Sequence, residues 1–181
     1  VTEENDGLLL DRVLAGETQV YARLVERYRD RLGRYALRML GNRADAEDVL
    51  QETFVRAYRS LANCSGPDGF GPWVFGILVN RCRTHAARRS RSQAVIVTNE
   101  GIVADAAVGS SEESSALRQA ITWALDRLPA EQREAFLLKH VEEMSYETME
   151  QVTGVRSATL RMRVFRARDE LRKLLEEVVR D

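Results

Sequence analysis

Apolar positions recur along this chain every three or four residues over long stretches, the period of a helix that buries one face. Between residues 8 and 40 the pattern runs twice. It passes first through Leu9, Leu10, Val13 and Leu14, then through Tyr21, Leu24, Val25, Tyr28, Leu32, Tyr35, Ala36 and Met39. Gly41-Asn42 closes the second run, because glycine just past the last periodic residue is a common helix stop. The next block, DAEDVLQETFVRAYRSL at 45–61, sets Ala46, Val49, Leu50, Thr53, Phe54, Ala57, Tyr58 and Leu61 on one face. Asn42 or Asp45 can cap it. Its opposite face gathers Asp48, Gln51, Glu52, Val55 and Arg59, and Val55 is apolar where a solvated helix is polar.

The segment NCSGPDGFGP at 63–72 breaks the period with three glycines and two prolines, so it reads as a loop. WVFGILVNRCRTHAARRSR then resumes helical character, with an apolar start and a basic end. From 92 to 113 the pattern fails, leaving small, polar and acidic residues around one short apolar run, AVIV. An edge strand would need a partner strand that the chain does not offer, so a linker is expected. Helical spacing returns in ALRQAITWALDRL, and Pro129 suits the first position of the following helix, PAEQREAFLLKHV. Two further helices have helix-turn-helix proportions. Ser145 can cap the first, Gly154-Val155 makes the turn and Ser157 can cap the second. In the last helix Leu160, Val164, Ala167 and Leu171 form the buried stripe, while Arg161, Met162, Phe165 and Arg166 point outward. The expected fold is all-α: two small helical domains, 1–91 and 114–181, joined by a flexible linker at 92–113, the C-terminal one containing the helix-turn-helix.

Composition narrows the classes of function. Hydrophobic content of 44%, charge of 30% and only three prolines describe a soluble globular chain that favours long helices. No run of about 18 apolar residues and no charged-then-apolar leader occurs, so neither membrane insertion nor a signal peptide is expected, and the expected location is the cytoplasm. Cys64 and Cys82 lack CxxC spacing, and the two histidines, His85 and His140, are far apart, so neither a metal site nor a disulfide framework is expected. No Ser/His/Asp set, paired loop carboxylates or phosphate-binding glycine loop is present, so neither an enzyme nor a cofactor is expected.

The net charge of −1 conceals a segregation. Residues 81–91 hold five arginines and no acid, and residues 156–168 again hold five arginines and no acid. Acids collect at Asp45, Glu47, Asp48 and Glu52, and at Glu142, Glu143, Glu147 and Glu150. Two separate basic patches point to two contacts with a polyanion, nucleic acid first among candidates.

Taken in order, these blocks resemble the extracytoplasmic-function sigma factors of bacterial RNA polymerase, over nearly the whole chain. The resemblance implies that GNRADAEDVLQETFVRAYRSL docks on the clamp helices of the largest polymerase subunit, with Asp45, Asp48, Gln51, Glu52, Val55 and Arg59 as the contacts. It implies that PDGFGPWVFGILVNRCRTHAARR reads and melts the minus-ten element. Holding a base out of the stack costs a few kcal/mol, which an enclosing loop, stacking rings and phosphate-tracking arginines offset. Gly66, Asp68, Phe70, Trp73, Asn80, Arg81, Arg88 and Arg89 are the candidates; the loop, Asn80 and the arginines rank before either ring, since Trp73 suits the hydrophobic core at least as well and Phe70 suits it better than it suits DNA. Finally, it implies that the helix-turn-helix reads the minus-thirty-five element through Arg156, Ser157, Thr159, Arg161, Met162, Phe165 and Arg166. Arginine suits guanine O6 and N7 as well as phosphate. Arg163 and Arg168 lie nearer the buried flank, where acids can pair with them. Core polymerase, promoter DNA and an anti-sigma factor are the implied partners.

The chain departs from the family pattern at Glu150, where alanine is usual because the two motif helices approach closely. Met162 and Phe165 replace small or polar residues, and Thr84 stands where aspartate is common. A competing reading is a stand-alone helix-turn-helix regulator with an N-terminal sensing or dimerisation bundle. Such a regulator has no use for the outer face of 45–61.

Overall fold

The computed structural model describes residues 5–64, 69–93 and 112–180. The described residues form eight α-helices and two single 3-10 turns, with no strand among them. The chain divides into two compact units. The first contains α1 (Asp6–Leu14), α2 (Tyr21–Leu40), α3 (Arg43–Arg59) and α4 (Phe70–Gln93). α5 (Glu112–Arg127), α6 (Ala130–His140) and α8 (Ser157–Arg180) belong to the second, as does α7 (Tyr146–Thr153) up to Glu150. The expected linker falls for the most part outside the described residues.

In the first unit α2 packs on both α3 and α4, and α3 packs on α4. The stripes anticipated from the sequence supply the hydrophobic core: Leu24, Leu32, Tyr35 and Ala36 of α2 meet Ala46, Val49, Phe54 and Ala57 of α3. Val74, Phe75 and Leu78 of α4 are buried as well, and the Phe75 ring stands edge-on to Tyr35 at 5.4 Å. Fully burying side chains of this size contributes about 1.5–3 kcal/mol each.

Local chemistry sets the helix ends. Gly41 closes α2 in the left-handed conformation, φ +67°, and its amide donates to Leu37 O at 2.8 Å. Asn42, not Asp45, caps α3, accepting from the Asp45 amide at 3.0 Å. That leaves the Asp45 carboxylate free to face α4. At the start of α4, Gly71 makes a close approach: a Cβ there would stand 3.0 Å from the Tyr28 hydroxyl oxygen, which would have to shift. Tyr28 in turn donates to Asp6 of α1 at 2.5 Å, so the first turn of α4 rests on a bond between α1 and α2.

In the second unit α8 packs on α6 and α5. Leu160, Val164, Ala167 and Leu171 are buried, the stripe expected from their spacing, together with Ala135, Leu137, Leu138 and Met149. Pro129 is the N-cap of α6 rather than its first residue. An ion pair between Asp126 and Arg133, at 3.2 Å, clamps the α5–α6 elbow around it.

Candidate functional site

The outer face of α3 is exposed as its spacing requires. Asp48, Gln51, Glu52, Val55 and Arg59 all face solvent, and Val55 keeps 48% of its surface accessible. Tyr58, expected on the buried face, is 41% exposed. Its ring packs against Tyr21 at 5.1 Å from the edge of the stripe, leaving one side open. The exposed ring therefore adds apolar surface to α3 that the helical wheel had assigned to the interior.

Asp45 and Glu52 are tied to α4. Arg81 Nε lies 3.1 Å from Glu52 Oε2, and Arg89 donates to Asp45 at 3.0 Å. His85 Nε2 stands 3.6 Å from Asp45, between the two arginines in the order of the chain. The acidic stripe of α3 and the basic stripe of α4 thus run antiparallel along one seam. His85, weighed in the sequence only as a metal ligand, was not among the candidate contacts, although its position four residues from both Arg81 and Arg89 puts it on their helix face. Asn42, Asp45, His85, Arg88 and Arg89 line an open depression at one end of the seam.

The loop candidates separate by burial. Gly66 and Asp68 lie outside the described residues. Phe70 is wholly buried, its ring edge-on to Tyr28 at 5.2 Å, so it serves the hydrophobic core and offers no face to a base. This corrects its place among the minus-ten contacts. Its suitability for the core, noted from the sequence, is realised in the contact with Tyr28. Trp73 is half-buried, 5.9 Å from Phe70, and Arg81 is largely covered, whereas Asn80, Arg88 and Arg89 are exposed. Thr84 turns its hydroxyl onto Asn80 O in its own helix.

In the helix-turn-helix, Ser145 caps α7 by accepting from the Thr148 amide at 3.1 Å, and Gly154 ends it at φ +67°. α8 begins with Ser157 as its first residue, not as its cap. Arg156, Thr159, Arg161, Met162, Phe165 and Arg166 are exposed and Ser157 is half-buried. Phe165 is 68% exposed and Met162 50%, the most exposed large apolar side chains of that helix among the described residues. Arg161 sits over the Tyr146 ring at 4.5 Å, a cation–π contact that steadies a long side chain. Tyr146 was not anticipated, since only the fold brings the start of α7 beneath α8. Arg163 pairs with Glu131, as its flanking position suggested, and Arg168 is exposed. Glu150 swings outward to accept from the Ser157 amide at 3.0 Å and from its hydroxyl. Those bonds hold its carboxyl below the usual carboxylate range.

Among the described residues no group of three or more His, Cys, Asp or Glu side chains is arranged to hold a metal ion. No described helix is long and apolar enough to cross a membrane.

Comparison with known proteins places the chain in a family. Sigma-70 region 2 matches residues 24–92, and Sigma-70, region 4 matches residues 118–171. The RNA polymerase sigma-H factor of Pseudomonas aeruginosa is 31% identical over 191 residues, covering 100% of this chain and 99% of that protein. The ECF RNA polymerase sigma-E factor of Haemophilus influenzae is 28% identical, covering 96% of this chain and 97% of that protein. A co-crystal structure of the sigma factor RpoE with the anti-sigma factor NepR from Bartonella quintana superposes with a TM-score of 0.73 at 26% identity. It covers 86% of this chain and 96% of that one. Two sigma regions in this order, with relatives matched from end to end, define a sigma subunit of the sigma-70 class. The chain belongs to that family, in its extracytoplasmic-function group.

Proposed function

We propose that this chain binds core RNA polymerase through the outer face of α3 and directs it to promoters read by its two basic helices. The observation that carries this reading is Val55, half-exposed at the centre of a face otherwise made of Asp48, Gln51, Glu52 and Arg59. Modest interfaces between separately folded proteins combine a small apolar centre with a polar rim, and α3 has that composition. A stand-alone regulator would leave the same face without a purpose.

Minus-ten recognition falls to Gly66 and Asp68 of the loop with Trp73, Asn80, Arg81, Arg88 and Arg89. Strand phosphates are contacted by Arg88 and Arg89, whose exposure suits them to that role. Minus-thirty-five recognition falls to α8, where Arg161 and Arg166 reach base edges or phosphate and Phe165 meets a thymine methyl. Phe165 and Met162 also supply apolar area for an anti-sigma factor, a partner of the kind bound by the RpoE relative.

Run-off transcription with sigma-free core polymerase tests the reading. Added protein should yield promoter-dependent transcripts from genomic templates. A chain that folds, yet neither binds core polymerase nor opens any promoter, would contradict it.

A further inference from the structure

The first amide of the recognition helix is already occupied. Glu150 Oε2, from α7, accepts from the Ser157 amide at 3.0 Å and from the Ser157 hydroxyl. That hydroxyl also lies 3.4 Å from Tyr146 O. The start of a helix gathers unpaired amides and the positive end of the helix dipole, so it attracts an anion. In a helix-turn-helix this end of the recognition helix is brought against DNA, where the available anion is a backbone phosphate. Here the position is taken from within the motif. Glu150 is solvent-exposed, and the nearby positive charge of Arg156, itself a phosphate candidate, acts on it.

We propose that Glu150 is a specificity-determining residue: its carboxylate fills the anion position at the start of α8 and withholds that helix end, with Ser157, from DNA phosphate. Sequence-independent attraction is reduced, and a larger share of binding passes to Arg161, Met162, Phe165 and Arg166. The inference rests on the proposed role of α8 as the duplex reader.

The test is fluorescence anisotropy of the full chain on a random-sequence DNA duplex across a salt series, with Glu150→Gln, Glu150→Ala and Arg161→Ala beside the parent. Glutamine keeps the shape and an oxygen acceptor for Ser157 but carries no charge. Both Glu150 variants should bind several-fold more tightly at low salt. The slope of log K against log salt should steepen by about one, the contribution of roughly one added phosphate contact. A purely structural glutamate would leave that slope unchanged. If Arg161→Ala weakens binding while the Glu150 variants bind no better than the parent, the inference about Glu150 is overturned and the reading of α8 stands. If Arg161→Ala has no effect, α8 is not the duplex reader and both ideas fall.

Discussion

Glu52 of α3 and Arg81 of α4 face each other with Oε2 and Nε 3.1 Å apart, so a residue of the proposed polymerase-docking face is bound to one of the proposed DNA-contacting helix. Asp45 and Arg89 repeat the arrangement further along the seam. The two surfaces therefore share an edge, and altering one acid affects both.

The members of this pair are unequally placed, with Glu52 54% exposed and Arg81 only 12%. Glu52→Gln should change stability by less than about 1 kcal/mol, as expected of a solvent-screened pair. Arg81→Ala should cost more, because its aliphatic stem is packed against the helix. Urea unfolding of the full chain measures both. A loss above about 2 kcal/mol for Glu52→Gln would make the pair a structural strut rather than a screened surface contact.

Gly154 ends α7 at φ +67° with nothing within 4 Å of an added Cβ, so any penalty for replacing it is purely conformational. Gly154→Ala should destabilise the chain by about 1 kcal/mol, and Gly154→Asn by less, because asparagine tolerates the left-handed region. Equal melting temperatures for all three proteins would show that the turn relaxes.

Asp126 and Arg133 are both nearly covered. Burial pushes the Asp126 carboxyl up and the Arg133 guanidinium down, each drawn back by its partner's charge. Asp126→Ala should cost about 3 kcal/mol, since it removes the counterion from a guanidinium that stays largely buried. Combining it with Arg133→Met should recover part of that loss. Guanidinium denaturation of the single and double variants checks the order, and a double variant weaker than the single would contradict it.

Glu147 and Glu150 both titrate below the ordinary carboxylate value of 4.5. Glu147 is held down by its own backbone amide and then by Ser145, Glu150 by the Ser157 side chain and amide. A carboxyl whose pKa is lower in the fold stabilises it while ionised, fully above the unfolded value, and the stabilisation fades as pH falls through the folded value. Tm should therefore drop more steeply on acidification below about 4.5 in the parent than in the Glu147→Gln, Glu150→Gln double variant. Parallel Tm–pH curves for the two proteins would contradict this.

The buried faces of α2, α3 and α8 were legible in outline from spacing because burial follows the 3.6-residue period: the α8 stripe at Leu160, Val164, Ala167 and Leu171 is buried throughout. Edge positions were not. Tyr58 and Leu14 sit on the margins of their stripes and remain exposed, since periodicity assigns a side but not how far the neighbouring helix reaches. Phe70 was expected to suit the core, and it is buried there, but that its neighbour would be Tyr28 was not legible. The seam between Glu52 and Arg81 was invisible for the same reason, because it pairs residues on different helices. Glu150 was recognised as out of place, yet its acceptor role needed the turn that brings Ser157 to it.

Affinity for core polymerase tests the central claim most directly. The full chain and its Asp48→Arg, Gln51→Ala double variant are titrated against sigma-free core polymerase, with circular dichroism confirming equal helical content. The account predicts tight binding by the parent and none detectable by the variant. Equal affinity would remove the outer face of α3 from the interface, and loss of helical content would mean its buried and exposed faces had been reversed.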